Sequence, residues 1–313
     1  MIRSVLAVAF LATVVLVPHT ALAQAPVAEQ PHRSDFVMNF VGGGDFRSWV
    51  SEVVEEDTRW AHSLRTLGVL HNHMHELMSD LAAHHRDEAG GEDLVPAFEN
   101  RISGGDWTEY RRAIESSSDA GVAASGDARL RHALVQVTEI MHDRVHHAMF
   151  KALVRDDLLH DRDAELAEFL RDGRAYEFED TVPQEGRTRN EWISQDDFRE
   201  LEWATSVEGP RLHAAFQKMV VFDYLLYDLM EQWARVGAEM DEAACRPPEY
   251  GPRISGHAWH EYRDRVSDCS DASWRELVVV TALMHDRIHH MMARMAALVE
   301  ARHPVEEAAP ESD

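Results

Sequence analysis

Lysine is almost missing from this 313-residue chain: Lys151 and Lys218 are the only two, and arginine supplies the other basic groups. Against 56 acidic residues stand 31 basic ones, a formal charge of −25. Such a surface repels nucleic acid and anionic lipid and attracts cations, and no basic patch offsets it. Nucleic acid is therefore not an expected partner; a metal ion is. No protein partner can be named from the sequence.

Cysteine is equally scarce. Cys245 and Cys269 are the only two, both in the second half. Neither has a second cysteine or a close histidine at ligand spacing, so a cysteine-built zinc site is disfavoured and one disulfide across an inter-helix loop is expected. No C-x-x-C-H occurs, which excludes covalent haem. Also missing are a glycine-rich phosphate loop, a G-x-S-x-G elbow and a credible Ser/His/Asp order. No acid, base or nucleophile stands out as dedicated to catalysis.

Long apolar runs are absent after the first residues. Arg3, the apolar run over 5–17 and "ALA" at 21–23 read as a signal peptide over 1–24. No later stretch nears about 18 uninterrupted apolar residues, so no membrane span is expected. The mature chain should be exported, periplasmic or secreted, and one unit more negative after losing Arg3.

Sustained strand-like alternation is absent too; helical periodicity fills its place. The chain also repeats itself. "IMHDRVHH", ending at His147, returns as "LMHDRIHH", ending at His290, an offset of 143. "RISGGDWTEYRR" at 101–112 returns as "RISGHAWHEYRD" at 253–264, an offset of 152 that pairs Trp107 with Trp259 and Tyr110 with Tyr262. The 152 offset also lays "HNHMHELM" (71–78) on "DYLLYDLM" (223–230). We read a duplicated unit of helix, short helix, helix: repeat 1 over 35–160, a polar linker over 161–196, repeat 2 over 197–302 and an acidic disordered tail over 303–313.

Long helices are expected over about 46–87, with a candidate break near Asp57, and over about 127–158, 209–238 and 273–301. Asp106 and the "SWRE" at 273–276 are the candidate caps. The fold class is all-α, as one pseudo-symmetric bundle or two packed bundles. Trp107, Tyr110, Trp259 and Tyr262 read as packing anchors for the short helices.

Residues four apart on a helix share a face. His71 with His75, His142 with His146, and His285 with His289 are such pairs, and two pairs on facing helices make a four-imidazole metal site. Repeat 1 supplies that set: His71, His75, His142 and His146. Glu76 and Asp143 are candidate outer carboxylates. Met74, Met78, Met141 and Met149 lie on or near the same faces, and thioethers favour copper. Repeat 2 substitutes Asp223 and Tyr227 beside His285 and His289, with Asp286 as the outer carboxylate, a set that reads as an iron site or as a weaker one, so that the second copy is either degenerate or has taken a separate role. His147 and His290 point away from these faces. His73, His84 and His85 read equally as an exposed patch, as solvated surface or as part of an ordered site, and His257 and His260 as solvated surface.

The reading is an exported helical protein that binds a transition metal, copper favoured, iron or zinc possible and non-covalent haem not excluded. The alternatives are a redox enzyme with a histidine-ligated mono- or dinuclear centre, and a structural or adaptor protein whose histidines are incidental.

Overall fold

The computed structural model describes residues 58–88, 91–119, 126–155 and 198–302, together with Phe46 and Val50. The signal segment, the 161–196 linker, the 303–313 tail and the candidate break at Asp57 lie outside these residues. The described chain forms seven α-helices and no strand: α1 Arg59–Asp87, α2 Gly104–Asp119, α3 Gly126–Arg155, α4 Phe198–Glu208, α5 Pro210–Ala238, α6 Gly256–Arg265 and α7 Ala272–Arg302. The all-α class expected from the periodicity is the class adopted.

The four long helices α1, α3, α7 and α5 pack in one ring, with the broadest contacts between α3 and α7 and between α1 and α5. Ion pairs set the direction of the neighbours. Arg59 at the start of α1 meets Glu239 just past α5, Asp80 meets Lys218, and Asp87 at the end of α1 meets Arg211 at the start of α5. Residue numbers that fall along α1 while rising along α5 require antiparallel helices. The same holds for α3 and α7: Arg131, early in α3, and Arg302, closing α7, both reach Glu88. This is the up-and-down geometry of a four-helix bundle.

The apolar stripe of α1, Leu67, Leu70, Met74, Leu77 and Leu81, faces the core, as do Trp274, Leu277, Ile288, Met292 and Val299 of α7. Helices this long gain most of their stability from burying such a stripe. Each short helix is pinned by its aromatic anchor. Trp107 of α2 donates Nε1–H to the carbonyl of Val135, and Trp259 of α6 does the same to Val278, both at 3.3 Å. Behind each indole lies its tyrosine, Tyr110 or Tyr262, with ring centroids 5.3 Å apart in both cases.

Two helix starts differ from the sequence expectation. Ser103, not Asp106, caps α2: the Asp106 amide donates to Ser103 Oγ at 3.1 Å, and the Asp106 carboxylate accepts from the Ser103 amide and hydroxyl. Ser255 caps α6 in the corresponding place. Asp271, not Ser273, caps α7 through its carboxylate, which accepts from the Trp274 amide at 2.9 Å. A carboxylate one residue upstream of the helix reaches the orphan amides better than a serine already inside it. Finally, α4 is a separate helix. Gly209, with φ of 138°, ends it in a conformation open to glycine, and Pro210 then opens α5.

Cys245 and Cys269 are joined in a disulfide, Cα atoms 4.8 Å apart, that clips the connection between α5 and α7. No described helix is long and apolar enough to cross a membrane.

Candidate metal centre

α1 and α3 are antiparallel neighbours, so the pair of one faces the pair of the other in reverse order. His71 lies beside His146, with ring centroids 4.7 Å apart, and His75 beside His142 at 4.9 Å. Along each helix the rings stand 4.8 Å apart (His71 and His75) and 4.6 Å apart (His142 and His146). All four residues are 3 % exposed. One donor atom from each of His71, His75 and His146 lies within 4.8 Å of the others. Donors around a tetrahedral ion at about 2.0–2.1 Å stand about 3.3 Å apart. His142 lies outside the tight triad but in ring contact with two of its members.

The tautomer of His75 follows from its neighbour. Its Nδ1 is 3.1 Å from the backbone carbonyl of Ile102, which can only accept, so Nδ1 carries the proton and Nε2 the lone pair. Among the described residues Nε2 is buried and takes no hydrogen bond. The carbonyl is held in turn, because the Ile102 amide donates to Ser79 Oγ and Ser79 Oγ–H to the carbonyl of His75. Burial first, then the nearby His142, His71 and Arg101, hold His75 well below the usual histidine range, and the bond to Ile102 does not reverse that. A neutral imidazole with a fixed lone pair is the form that ligates metal.

Of the outer carboxylates, Asp143 approaches His142, Oδ1 to Nδ1, at 3.3 Å. Glu76 does not join the site. It is exposed and sits 3.8 Å from His73 Nδ1. One residue beyond His75 is a quarter-turn further round the helix, which carries Glu76 off the shared face. Met74, Met78, Met141 and Met149 are all fully buried.

The second half brings together a different set between α5 and α7. Donor atoms of Asp223, His285 and His289 lie within 4.8 Å of one another. His289 Nε2 is 3.6 Å from Asp223 Oδ1, and His285 Nε2 is 3.0 Å from the Tyr227 hydroxyl. Burial, and then the charge of Asp223, push the Tyr227 phenol up to about 12, against the opposing pull of Arg253 and a backbone bond at Gly256. Asp286 Oδ1 is 3.9 Å from His285 Nδ1 and 3.1 Å from His260 Nε2. Burial raises the Asp286 carboxyl, but the bonds from His260 and His285 outweigh it and hold the group well below the usual range.

Partners remote in sequence fix several other histidines, and one of them, His260, departs from the sequence expectation. His260 is no surface residue: α6 carries it against Asp286. His85 is buried, with Nδ1 2.7 Å from the Tyr110 hydroxyl and Nε2 2.6 Å from Arg131, a network that continues through Glu88 to Arg302. His84 joins it at 3.3 Å from Glu88. His147 turns towards α7, where Glu276 pairs with Lys151 and lies 3.9 Å from His147 Nε2. These positions depend on partners remote in sequence, so helical spacing alone does not carry them. Glu242, Cys245 and Cys269 also converge, but the disulfide removes both thiolates.

No family model, no curated protein and no solved structure matches this chain.

Proposed function

We propose that this is an exported, periplasmic metal-binding protein that holds one transition-metal ion, copper by preference, between α1 and α3. His71, His75 and His146 are its ligands and His142 completes the set. The observation that carries the reading is His75: its Nδ1 proton is committed to the Ile102 carbonyl, its Nε2 is buried, and its ring packs against those of His71 and His142. Packing alone does not call for four imidazoles in mutual contact; an apolar residue at each place would fill the core without desolvating polar nitrogens.

Imidazole donors bind copper(II) more tightly than the other divalent first-row ions, zinc included. Rings packed 4.6–4.9 Å apart leave little room for a macrocycle, which favours a bare ion over haem. Burial of every ligand favours retention of the metal over turnover of a substrate, because a catalytic ion needs an open position. The disulfide fits an oxidising compartment. Gene duplication accounts for the paired motifs, and the matching anchors of α2 and α6 support that origin.

The test is metal analysis of untagged protein purified from periplasm without chelators, followed by copper and zinc titration of the stripped chain. We expect one ion per chain at this site and its loss in the His142→Ala, His146→Ala double variant, with helicity by circular dichroism nearly unchanged. Full occupancy in that variant, or no uptake by the folded wild type, would overturn the reading.

A further inference from the structure

We propose that Asp223, His285 and His289 form a second metal site, harder in its donors than the first, which takes ferric iron with Tyr227 as the fourth ligand. It does not depend on the α1–α3 site and survives that site's failure.

Asp223 is fully buried on α5, in the same turn as the buried Phe222 and Leu226. Burying a carboxylate is costly unless charges or hydrogen bonds compensate it, and coordination of a cation does both. The side chains around it are metal donors: His289 Nε2 at 3.6 Å and, within the same 4.8 Å cluster, His285. Two imidazoles and one carboxylate are a ligand set of non-haem iron in its ferrous form, and a phenolate, a hard anionic donor, shifts such a set towards ferric iron. Tyr227, one turn after Asp223, brings its hydroxyl to 3.0 Å from His285 Nε2 and so lies at the next coordination position. On binding, its O–H bond breaks, the proton passes to solvent and the oxygen joins iron as phenolate. No electron moves when the ion arrives already ferric.

The surroundings hold the ligands in place. Asp286, 3.1 Å from His260 Nε2, lies on the Nδ1 side of His285 at 3.9 Å, while the Nε2 side of that ring meets the Tyr227 hydroxyl. Gly256, the first residue of α6, lets the backbone come close: a β-carbon there would stand 2.6 Å from His285 Cε1 and 2.8 Å from its Nε2. In the first half Thr108 occupies the place of His260 and bonds Glu139 instead, at 2.8 Å. The outer shell therefore differs along with the ligands.

The experiment titrates the chelator-stripped full chain with ferric nitrilotriacetate and reads bound iron, together with the visible absorption that a phenolate-to-iron bond produces. Wild type should bind one iron and gain colour. Asp223→Asn, which keeps the shape, should lose iron affinity at least tenfold. His289→Gln should do likewise, giving a second reading should the first variant fold poorly. Tyr227→Phe should keep most of the iron and lose the colour. The His142→Ala, His146→Ala variant should keep both, which separates this site from the first. Iron retained in both Asp223→Asn and His289→Gln, iron lost in the His142/His146 variant instead, or no iron taken up by folded wild type would each overturn the proposal. Colour that persists in Tyr227→Phe would remove Tyr227 from the ligand set.

Discussion

At the same helical turn the first half of this chain places His71 and His75 and the second half Asp223 and Tyr227, each pair facing H-x-x-x-H histidines on a neighbouring helix. The scaffolds around the two turns match closely. Trp107 and Trp259 bond equivalent carbonyls, and Thr138 and Thr281 each donate a hydroxyl to the carbonyl four residues earlier at 2.7 Å. The ends of the units do not match. Where the first half has His85, bonded to Tyr110 and Arg131, the second has Gly237, and Tyr262 donates instead to the carbonyl of Cys245. The difference teaches that a helical scaffold fixes where side chains meet, while the residues on one turn decide which donors meet there: four imidazoles in the first half, two imidazoles with a carboxylate and a phenol in the second.

The most direct way to break the contrast is to erase it. Asp223→His with Tyr227→His gives the second half the four-imidazole set of the first. Copper uptake should rise by one ion per chain, and iron affinity should fall by more than the roughly 10–100-fold that outer-sphere changes produce. Metal stoichiometry under competition reads both. Unchanged uptake would mean that ligand identity does not separate the two halves.

The common scaffold makes the next largest prediction. Trp107→Ala and Trp259→Ala each remove a fully buried indole, and each should lose about 3–5 kcal/mol by denaturant unfolding of the metal-free chain. Similar losses would support equivalent anchoring; a much smaller loss at one position would show that one short helix is held by other contacts.

The disulfide tests the unmatched ends. It closes a separation of 24 residues in the second half only, and replacing both cysteines by serine should lose about 3 kcal/mol. The Cys245 carbonyl accepts from Tyr262 and from Trp274 Nε1, so the loss should be accompanied by a change in tryptophan fluorescence. A smaller effect comes from Gly237→Ala. Its β-carbon would stand 2.2 Å from the Tyr262 hydroxyl, and crowding of that kind lowers stability by about 1–3 kcal/mol.

Much of this was legible in the sequence, and what was not has a physical pattern. The stripes of α1 and α7 gave the helices because a buried face must recur with the helical period. The i, i+4 histidine pairs gave the ligand candidates for the same reason. Glu76 was misplaced for ignoring that period by one residue. The surface reading fails at His260, and the partners of His85 and His147 stay out of sight, because Asp286, Tyr110 and Glu276 lie 25 or more residues away and only the packed helices bring them together. The caps at Ser103 and Asp271 were misjudged because a cap depends on where the helix begins, to within a residue, and periodicity leaves that open.

The gentlest probe uses pH. Burial first, then the Arg131 guanidinium, lower His85 from 6.5 to about 4, against the pull of Glu88. The unfolded chain therefore binds a proton there at a higher pH than the folded one. Folding is favoured by the neutral ring, so this contribution is complete above about pH 6.5 and is lost as the pH falls through about 4. His73, His75 and His147 are shifted in the same direction, and the acid slope of the whole protein sums over all of them. The readout is consequently the difference between wild type and His85→Gln. The variant should start less stable at neutral pH and lose less on acidification to pH 4, by on the order of 1 kcal/mol after solvent screening. Equal slopes would mean that His85 binds its proton as readily in the folded chain as in the unfolded one, and the contrast with Gly237 would no longer rest on a neutral ring.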